Sequence, residues 1–144
     1  MGELNFFSEE ITFRLRDKKK LRKWIMKTIQ NEGGEYETIN FIFTSDSYLH
    51  KINVDYLQHD TYTDIITFEY NEGDLPIISD IYISIDRCKE NAKTYSIRLR
   101  DEIHRIIIHG VLHLLSYKDK TKKDKELMTS KEDYYLSLRS EFEL

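Results

Sequence analysis

The segment from Glu102 to Asp119 constrains the fold more than any other part of the chain. Apolar residues crowd it, as expected of a buried helix: Ile103, Ile106, Ile107, Val111, Leu112, Leu114 and Leu115. Within this predicted helix His109 and His113 are four residues apart, so both imidazoles lie on one face and can reach the same ion. The alternative is a pair of core histidines with hydrogen-bond partners, and the spacing alone leaves both interpretations open.

A third candidate ligand follows the predicted helix. The helix is expected to end near Ser116, and Asp119 then completes the pattern His-x3-His-x5-Asp, a ligand spacing known from helical zinc motifs in which the chain turns back under the helix. We therefore expect one zinc ion per chain on His109, His113 and Asp119, with a fourth position open. Iron and nickel also suit this ligand set. Gly110 stands where zinc peptidases carry their glutamate base, which argues against peptide hydrolysis.

Three blocks of the sequence resemble one known family. The run HGVLHLLSYKD resembles the H-G-x-L-H-L-x-G-Y-D-H signature of the YbeY-type rRNA maturation factors, which are small metal-dependent endoribonucleases. Residues Asn53–Phe68 are similar to the family's N-x-x-Y-R … T-D-V-L-S-F block, and Ser79–Ser84 are similar to its G-D-I-x-I-S strand. The blocks follow the family's order and spacing, and together they span most of the chain from about Phe41 onward.

Four positions depart from the family pattern. Asp119 stands in place of the third histidine, Ser116 in place of the turn glycine, and Lys118 in place of an aspartate. Leu57 replaces the arginine that follows the tyrosine of the second block. The resemblance therefore implies that the metal ligands are retained in kind, whereas a catalytic role of that arginine has no counterpart at this position.

Arg105 and His59 are the candidates for a catalytic role. Arg105 precedes His109 by one helical turn on the same face, where its guanidinium can pair with phosphate oxygens. The alternative for Arg105 is a salt bridge to Asp101 or Glu102. His59 lies in the loop where the family carries its arginine, so it is either a replacement polar group near the site or an exposed loop residue.

Two aspartates and two basic runs are further candidates. Asp64 and Asp80 are each expected at the start of a strand, where they either orient a metal-bound histidine or make a cap or turn hydrogen bond. Lys118 is the first of five lysines that end at residue 125, and they form either a solvated surface or a phosphate-binding lip. The six basic residues of Lys18–Lys27 allow the same two interpretations.

The remaining pattern predicts a single α+β domain spanning residues 1–144. It is expected to contain a small mixed four-stranded sheet packed with helices, with the metal site on a central helix. The resemblance implies the mixed topology and places the last two strands in the inner part of the sheet. Alternating apolar residues and capping signals predict strands at Leu4–Leu15, Tyr36–Thr44, 63–70 and 77–86, and helices from Asp17 to Asn31, after Ser45, at Asp86–Tyr95, through the histidines and at the C-terminus.

Composition limits the compartment and the partners. The net charge of −4 carries no global nucleic-acid signature, so RNA binding would depend on local patches. The single cysteine, Cys88, excludes an intramolecular disulfide and indicates a reducing compartment. The sequence shows neither a signal-peptide pattern nor a membrane-length apolar run, so a cytoplasmic protein without membrane contact is expected.

The resemblance implies a single-strand-specific, metal-dependent endoribonuclease that acts in rRNA maturation and ribosome quality control. Its expected partners are rRNA or the ribosome, with a ribosomal protein or an assembly GTPase as additional candidates. The alternative is a non-catalytic assembly factor in which the metal is structural, and Leu57 in place of the family's arginine favours it. Alanine variants of the ligands separate the two, because a structural ion contributes to folding stability.

Overall fold

The computed structural model describes residues 2–59 and 63–144, and strands alternate with helices along it. The elements in chain order are β1 (Glu3–Ser8), α1 (Lys18–Asn31), β2 (Tyr36–Thr44), α2 (Asp46–Leu57), β3 (Ile65–Glu69), β4 (Ile77–Ser84), α3 (Ile85–Tyr95), α4 (Leu99–Leu114), α5 (Lys122–Ser137) and a 3-10 helix at Leu138–Phe142. Among the described residues, no helix combines the length and apolar character needed to cross a bilayer.

β2 and β4 form the centre of a sheet whose strand order is β1-β2-β4-β3. β1 and β4 both pair parallel with β2, placing Phe6 and Ile81 on either side of Phe41. β3 pairs antiparallel with β4. The prediction of an α+β fold with a mixed four-stranded sheet is confirmed. The resemblance placed both β3 and β4 in the inner part of the sheet, and this is wrong for β3. The short connection at residues 70–76 folds β3 back along β4, so that β3 forms an edge of the sheet.

The main core lies on one face of the sheet, under α1 and α4. Ile39, Phe41 and Phe43 alternate along β2 and are all buried in this core. The other face carries a smaller cluster in which Leu49 and Ile52 of α2 pack near Ile66 of β3. The helix with the histidines therefore belongs to the larger core and packs against β3 and β4 of the sheet.

The N-terminal strand is shorter than the prediction of Leu4–Leu15. β1 ends at Ser8, and Glu10 has a left-handed backbone with φ 57°. Phe13 nevertheless packs on Phe43, with ring centroids 5.2 Å apart, so the alternating apolar pattern reflects contact with the core rather than strand pairing. Asp17 occupies the N-cap position of α1 but has φ 59° and makes no capping hydrogen bond, whereas Ser45 caps α2 as predicted.

Close packing fixes α4 on the sheet. A Cβ atom at Gly110 would lie 2.9 Å from Cδ1 of Ile65 and 3.3 Å from Cδ1 of Ile81, so glycine lets α4 approach the sheet without displacing these two side chains. α4 then ends in a tight turn, in which the N–H of Tyr117 donates to the carbonyl of Leu112 over 3.0 Å. Ser116 in this turn has φ 77°, a left-handed conformation that glycine adopts at lower cost. The turn directs the following loop back under the helix.

Candidate metal centre

His109, His113 and Asp119 converge at the C-terminal end of α4. Oδ2 of Asp119 lies 3.3 Å from Nε2 of His109 and 3.2 Å from Nε2 of His113. These are the residues, within the described ranges, whose ligand atoms cluster closely enough to hold a metal ion. Tetrahedral zinc with bonds of about 2.0–2.1 Å spaces its ligand atoms about 3.3–3.4 Å apart. The donor atoms therefore fit a metal ion with two nitrogen ligands and one oxygen ligand.

Glu132 of α5 fixes the orientation of His109. Its Oε2 lies 2.6 Å from Nδ1 of His109, so Nδ1 serves as the donor and Nε2 faces Asp119. Burial lowers the pKa of His109, but the hydrogen bond and charge of Glu132, together with the charges of Asp119 and Asp64, outweigh it and raise the pKa above its usual value. Because Glu132 is itself buried, its carboxylate is held in place to direct the imidazole.

Arg105 is held by two carboxylates of α5. Its Nη1 donates to Oε1 of Glu132 over 2.8 Å, and its Nη2 donates to Oδ1 of Asp133 over 2.7 Å. The sequence offered phosphate or the neighbouring Asp101 and Glu102 as its partners. The structure instead pairs Arg105 with Glu132 and Asp133 of α5, which packs across α4. Arg105 thus balances the charge of Glu132 and lines the site, but both of its terminal nitrogens already donate to carboxylates.

A cleft of about 660 Å³ opens beside His109. Asp64, at the start of β3, and Glu102 of α4 line it, and the amide of Asn91 donates to both carboxylates over 3.4 and 3.3 Å. Burial raises the pKa of Asp64 although the charge of His109 opposes the shift, and burial likewise raises the pKa of Glu102. With Asp119 and Glu132 on the same walls, the cleft is acidic and can hold a cation or a proton.

The family of the chain follows from comparison with known proteins. The family model described as Endoribonuclease YbeY matches residues 4–139, which is nearly the whole chain. The chain belongs to the YbeY family. The resemblance inferred from the sequence motifs is thereby confirmed.

Relatives within the family align along nearly their whole length. The Endoribonuclease YbeY of Cytophaga hutchinsonii is 48% identical over 134 residues, which cover 93% of this chain and 94% of the relative. That of Christiangramia forsetii is 47% identical over 137 residues, or 95% of this chain and 94% of the relative. The solution structure of TM1509 from Thermotoga maritima has a TM-score of 0.67 at 23% identity and covers 95% of this chain and 89% of that chain. This last similarity supports the fold.

The other predicted site residues lie in different places. Asp64 borders the cleft, but Nδ1 of His109 is bonded to Glu132 instead. Asp80 is in the middle of β4 rather than at its start, and it accepts hydrogen bonds from Asn40 and Tyr70 at 3.0 and 2.9 Å. Since Asp80 is opposite Phe68 in the ladder and next to buried Ile81, it points to the sheet face away from α4. The structure therefore does not bring Asp80 to the histidines.

His59 and Lys118 complete the predicted set. His59 follows α2, has an exposed side chain, and is not among the described residues that line the cleft. Its backbone N–H donates to the carbonyl of Asn53 over 3.1 Å. Lys118 directly precedes the candidate ligand Asp119 and is exposed. The expected strand Thr63–Tyr70 forms from Ile65, and residues 60–62 of the second family block lie outside the described residues.

Two site residues were missed in the sequence. Glu132 lies between Met128 and Tyr135 on the buried stripe of α5, so a carboxylate at an apolar position was the available signal. Glu32 was the second. It accepts hydrogen bonds from the hydroxyls of Tyr117, at 2.5 Å, and of Tyr135, and it pairs with Lys131 at 3.3 Å. Because Tyr117 lies two residues before Asp119, this network anchors the loop that carries the third candidate ligand.

Proposed function

We propose that this chain is a metal-dependent endoribonuclease that cleaves single-stranded RNA during rRNA maturation and ribosome quality control. The observation that carries the proposal is the convergence of His109, His113 and Asp119 beside a cleft, in a chain that belongs to the YbeY endoribonuclease family. The names of the relatives support RNA as the substrate class.

In this proposal the three converging side chains hold one zinc ion. When bound, the ion supplies Lewis-acid chemistry, since it polarises a phosphoryl oxygen and lowers the pKa of water. Glu132 keeps His109 in the tautomer that presents Nε2, and Arg105 balances the charge of Glu132. The proposal requires the ion, because without it the carboxylates that line the cleft would repel an approaching RNA phosphate.

Protons and phosphates would be handled by different groups around the cleft. Asp64 is the candidate proton acceptor, because it lines the cleft beside His109 and burial raises the pKa of its carboxyl group, which makes the carboxylate a stronger base. The lysines between residues 118 and 125 are exposed next to Asp119, and within residues 2–59 and 63–144 none has an ion-pair partner. They are the candidate phosphate contacts near the site. Arg105 acts through Glu132 rather than on the substrate.

The test is cleavage of matched single-stranded and duplex RNA. Wild-type protein is expected to cut the single strand preferentially, to lose activity in chelator and to regain it with added zinc. Asp119→Ala and His113→Ala should be inactive at any zinc concentration that restores the wild type, whereas Asp80→Asn on the far sheet face should cleave normally. Cleavage by the ligand variants at the wild-type rate would refute the proposal.

A second candidate function is favoured by one observation. Leu57 replaces the family's arginine, and the arginine that lines the cleft, Arg105, already has both terminal nitrogens bonded to carboxylates. These facts also suit an assembly factor that binds rRNA or a ribosomal protein and uses the ion to tie the 115–121 loop to α4. In that case the wild type would cleave no RNA and the ligand variants would have a lower melting temperature, since the binding energy of a structural ion contributes to folding.

The proposed setting is the cytoplasm, with rRNA or the ribosome as the main partner. A ribosomal protein or an assembly GTPase remains an additional proposed partner. Co-sedimentation of the wild-type protein with ribosomal subunits tests this setting. The bound fraction is measured at low salt and again at raised salt, where the protein should be released. Absence of the protein from every ribosomal fraction at low salt would contradict it.

A further inference from the structure

Two depressions lie on opposite sides of α4, and carboxylates outnumber cations in the lining of the first. The α4 residues that line the acidic cleft include Glu102, Arg105 and His109. A second depression is lined by Leu99, Arg100, Ile103 and His104 of the same helix. At about 100° per residue, the two sets of positions are centred roughly 140° apart around a helix about 10–12 Å thick. The two depressions are therefore separate surfaces.

The second depression continues along the segment before α1. A hollow of about 180 Å³ between this segment and α4 includes Phe13 and Leu15 in its lining, and a larger one of about 740 Å³ follows the chain to Lys20. The two hollows share Arg14, Leu15 and Arg16. We call this continuous surface, residues 13–20 with Leu99, Arg100, Ile103 and His104, the basic groove.

The basic groove carries a strong excess of positive charge, most of it unpaired. Its cations are Arg14, Arg16, Lys18, Lys19, Lys20 and Arg100, and Asp17 is the carboxylate that lines it within the described chain. Lys20 and Arg100 have long contacts, of 3.8 Å to Glu143 and 3.9 Å to Asp101. Across residues 2–59 and 63–144 the other four cations have no carboxylate within 4.0 Å. They are exposed and available to an anionic partner.

We infer that the basic groove binds the phosphate backbone of single-stranded RNA outside the cleavage site. This inference rests on the proposed function, because it assigns a second contact to the same substrate. The cleft walls are acidic, so the electrostatic part of the binding energy has to come from elsewhere on the surface. The apolar floor formed by Phe13 and Leu15 under an arginine rim also suits an unstacked base, which packs on rings and guanidinium planes.

The two surfaces predict a dependence on the length of the RNA. A trinucleotide can occupy the cleft alone, whereas a strand of about 20 nucleotides can pass around the N-terminal part of α4 and occupy both surfaces. Variants of the basic groove should therefore lower kcat/KM for the long strand and leave cleavage of the trinucleotide unchanged. The effect should appear in KM rather than in kcat, because the groove contacts no reacting atom.

Binding is measured by fluorescence anisotropy with a labelled RNA of about 20 nucleotides in chelator, so that no cleavage is needed. Each phosphate contact on a single strand contributes about 0.7 to the salt slope of log K, so Arg14→Ala/Arg16→Ala should lower the slope by about 1.4. If the two contacts contribute nothing at about 1 M salt, this slope change makes binding roughly 25-fold weaker at about 0.1 M salt. The matched control, Lys27→Ala/Lys51→Ala, removes two exposed lysines outside the groove and should change the affinity less than about twofold.

The outcomes separate this inference from the proposed function. Wild-type binding that is lost in the groove variant but kept in the control supports the groove, even if the protein cleaves no RNA. Equal binding and equal salt slopes for the wild type and Arg14→Ala/Arg16→Ala overturn the groove and leave the cleavage proposal intact. Melting curves of both variants exclude unfolding, which is not expected because Arg14 and Arg16 are exposed.

Discussion

Glu132→Gln is the substitution that tests how the site holds His109. The carboxylate lies 2.6 Å from Nδ1 of His109 and 2.8 Å from Nη1 of Arg105, and it is buried. Glutamine keeps the shape but removes the charge that orients the imidazole and makes Nε2 more basic. Loss of such a supporting carboxylate typically lowers metal affinity 10- to 100-fold, or about 1.4–2.7 kcal/mol. We expect a loss in this range for zinc.

The assay is competition with a chromophoric zinc chelator at about pH 8, above the ordinary pKa of an imidazole, so that protons compete less with zinc. At lower pH the comparison is less direct, because Glu132 raises the pKa of His109 and the wild type therefore holds a competing proton more tightly. The difference between wild type and Glu132→Gln should accordingly narrow as the pH falls through the range in which His109 takes up a proton.

Asp133→Asn is the matched control. Asp133 also pairs with Arg105, at 2.7 Å, but it is exposed and makes no contact with His109. This variant should bind zinc within about threefold of the wild type, since an exposed ion pair contributes little. Zinc affinity of Glu132→Gln equal to that of Asp133→Asn would refute the role assigned to Glu132.

Three further predictions follow from the fold. Ser116→Gly should stabilise the protein by about 1 kcal/mol and raise Tm by about 2–4 °C, because glycine adopts the left-handed turn without strain; a lower Tm in calorimetry would contradict this. Glu32→Gln should lower the free energy of unfolding by about 2 kcal/mol and weaken zinc binding, because the tyrosine-anchored loop loosens; unchanged zinc affinity would show that the loop needs no anchor. Burial and the charge of Arg139 lower the pKa of His104 to about 4 in the folded protein. Between about pH 6.5 and pH 4 only the unfolded state therefore protonates this imidazole. The contribution of His104 to the free energy of unfolding should fall by up to about 1.4 kcal/mol per unit of pH across this range. His104→Asn should remove this component of denaturant-measured stability, and an identical pH profile would exclude it.

The candidate ligands could be predicted from the sequence because local geometry determines their proximity. His109 and His113 share a helix face at any tertiary arrangement, and a tight turn after α4 brings Asp119 back within a few residues. Glu132 could not be predicted in the same way, because its contact with His109 depends on how α5 packs across α4. The apolar pattern of α5 shows that Glu132 is a carboxylate on a buried stripe, but it does not show that His109 is its partner.

The errors in the fold prediction have the same origin. Asp80 was expected at a strand start but lies in the middle of β4, and the sheet face it occupies is determined by the pairing of β4 with β2 and β3. The alternating residues up to Leu15 fit a strand equally well, yet they pack on the core from an irregular segment. An alternating apolar pattern indicates that one side of a segment is buried, whereas strand pairing also requires a neighbouring strand with unpaired backbone groups.

Metal content of the purified protein tests the central claim most directly. Elemental analysis of protein prepared without chelator should find about one zinc ion per chain in the wild type and in Asp80→Asn. Asp119→Ala and His113→Ala should both lose it, because each removes one of three converging ligands. A wild type without metal, or Asp119→Ala with its full metal content, would contradict the three-ligand site.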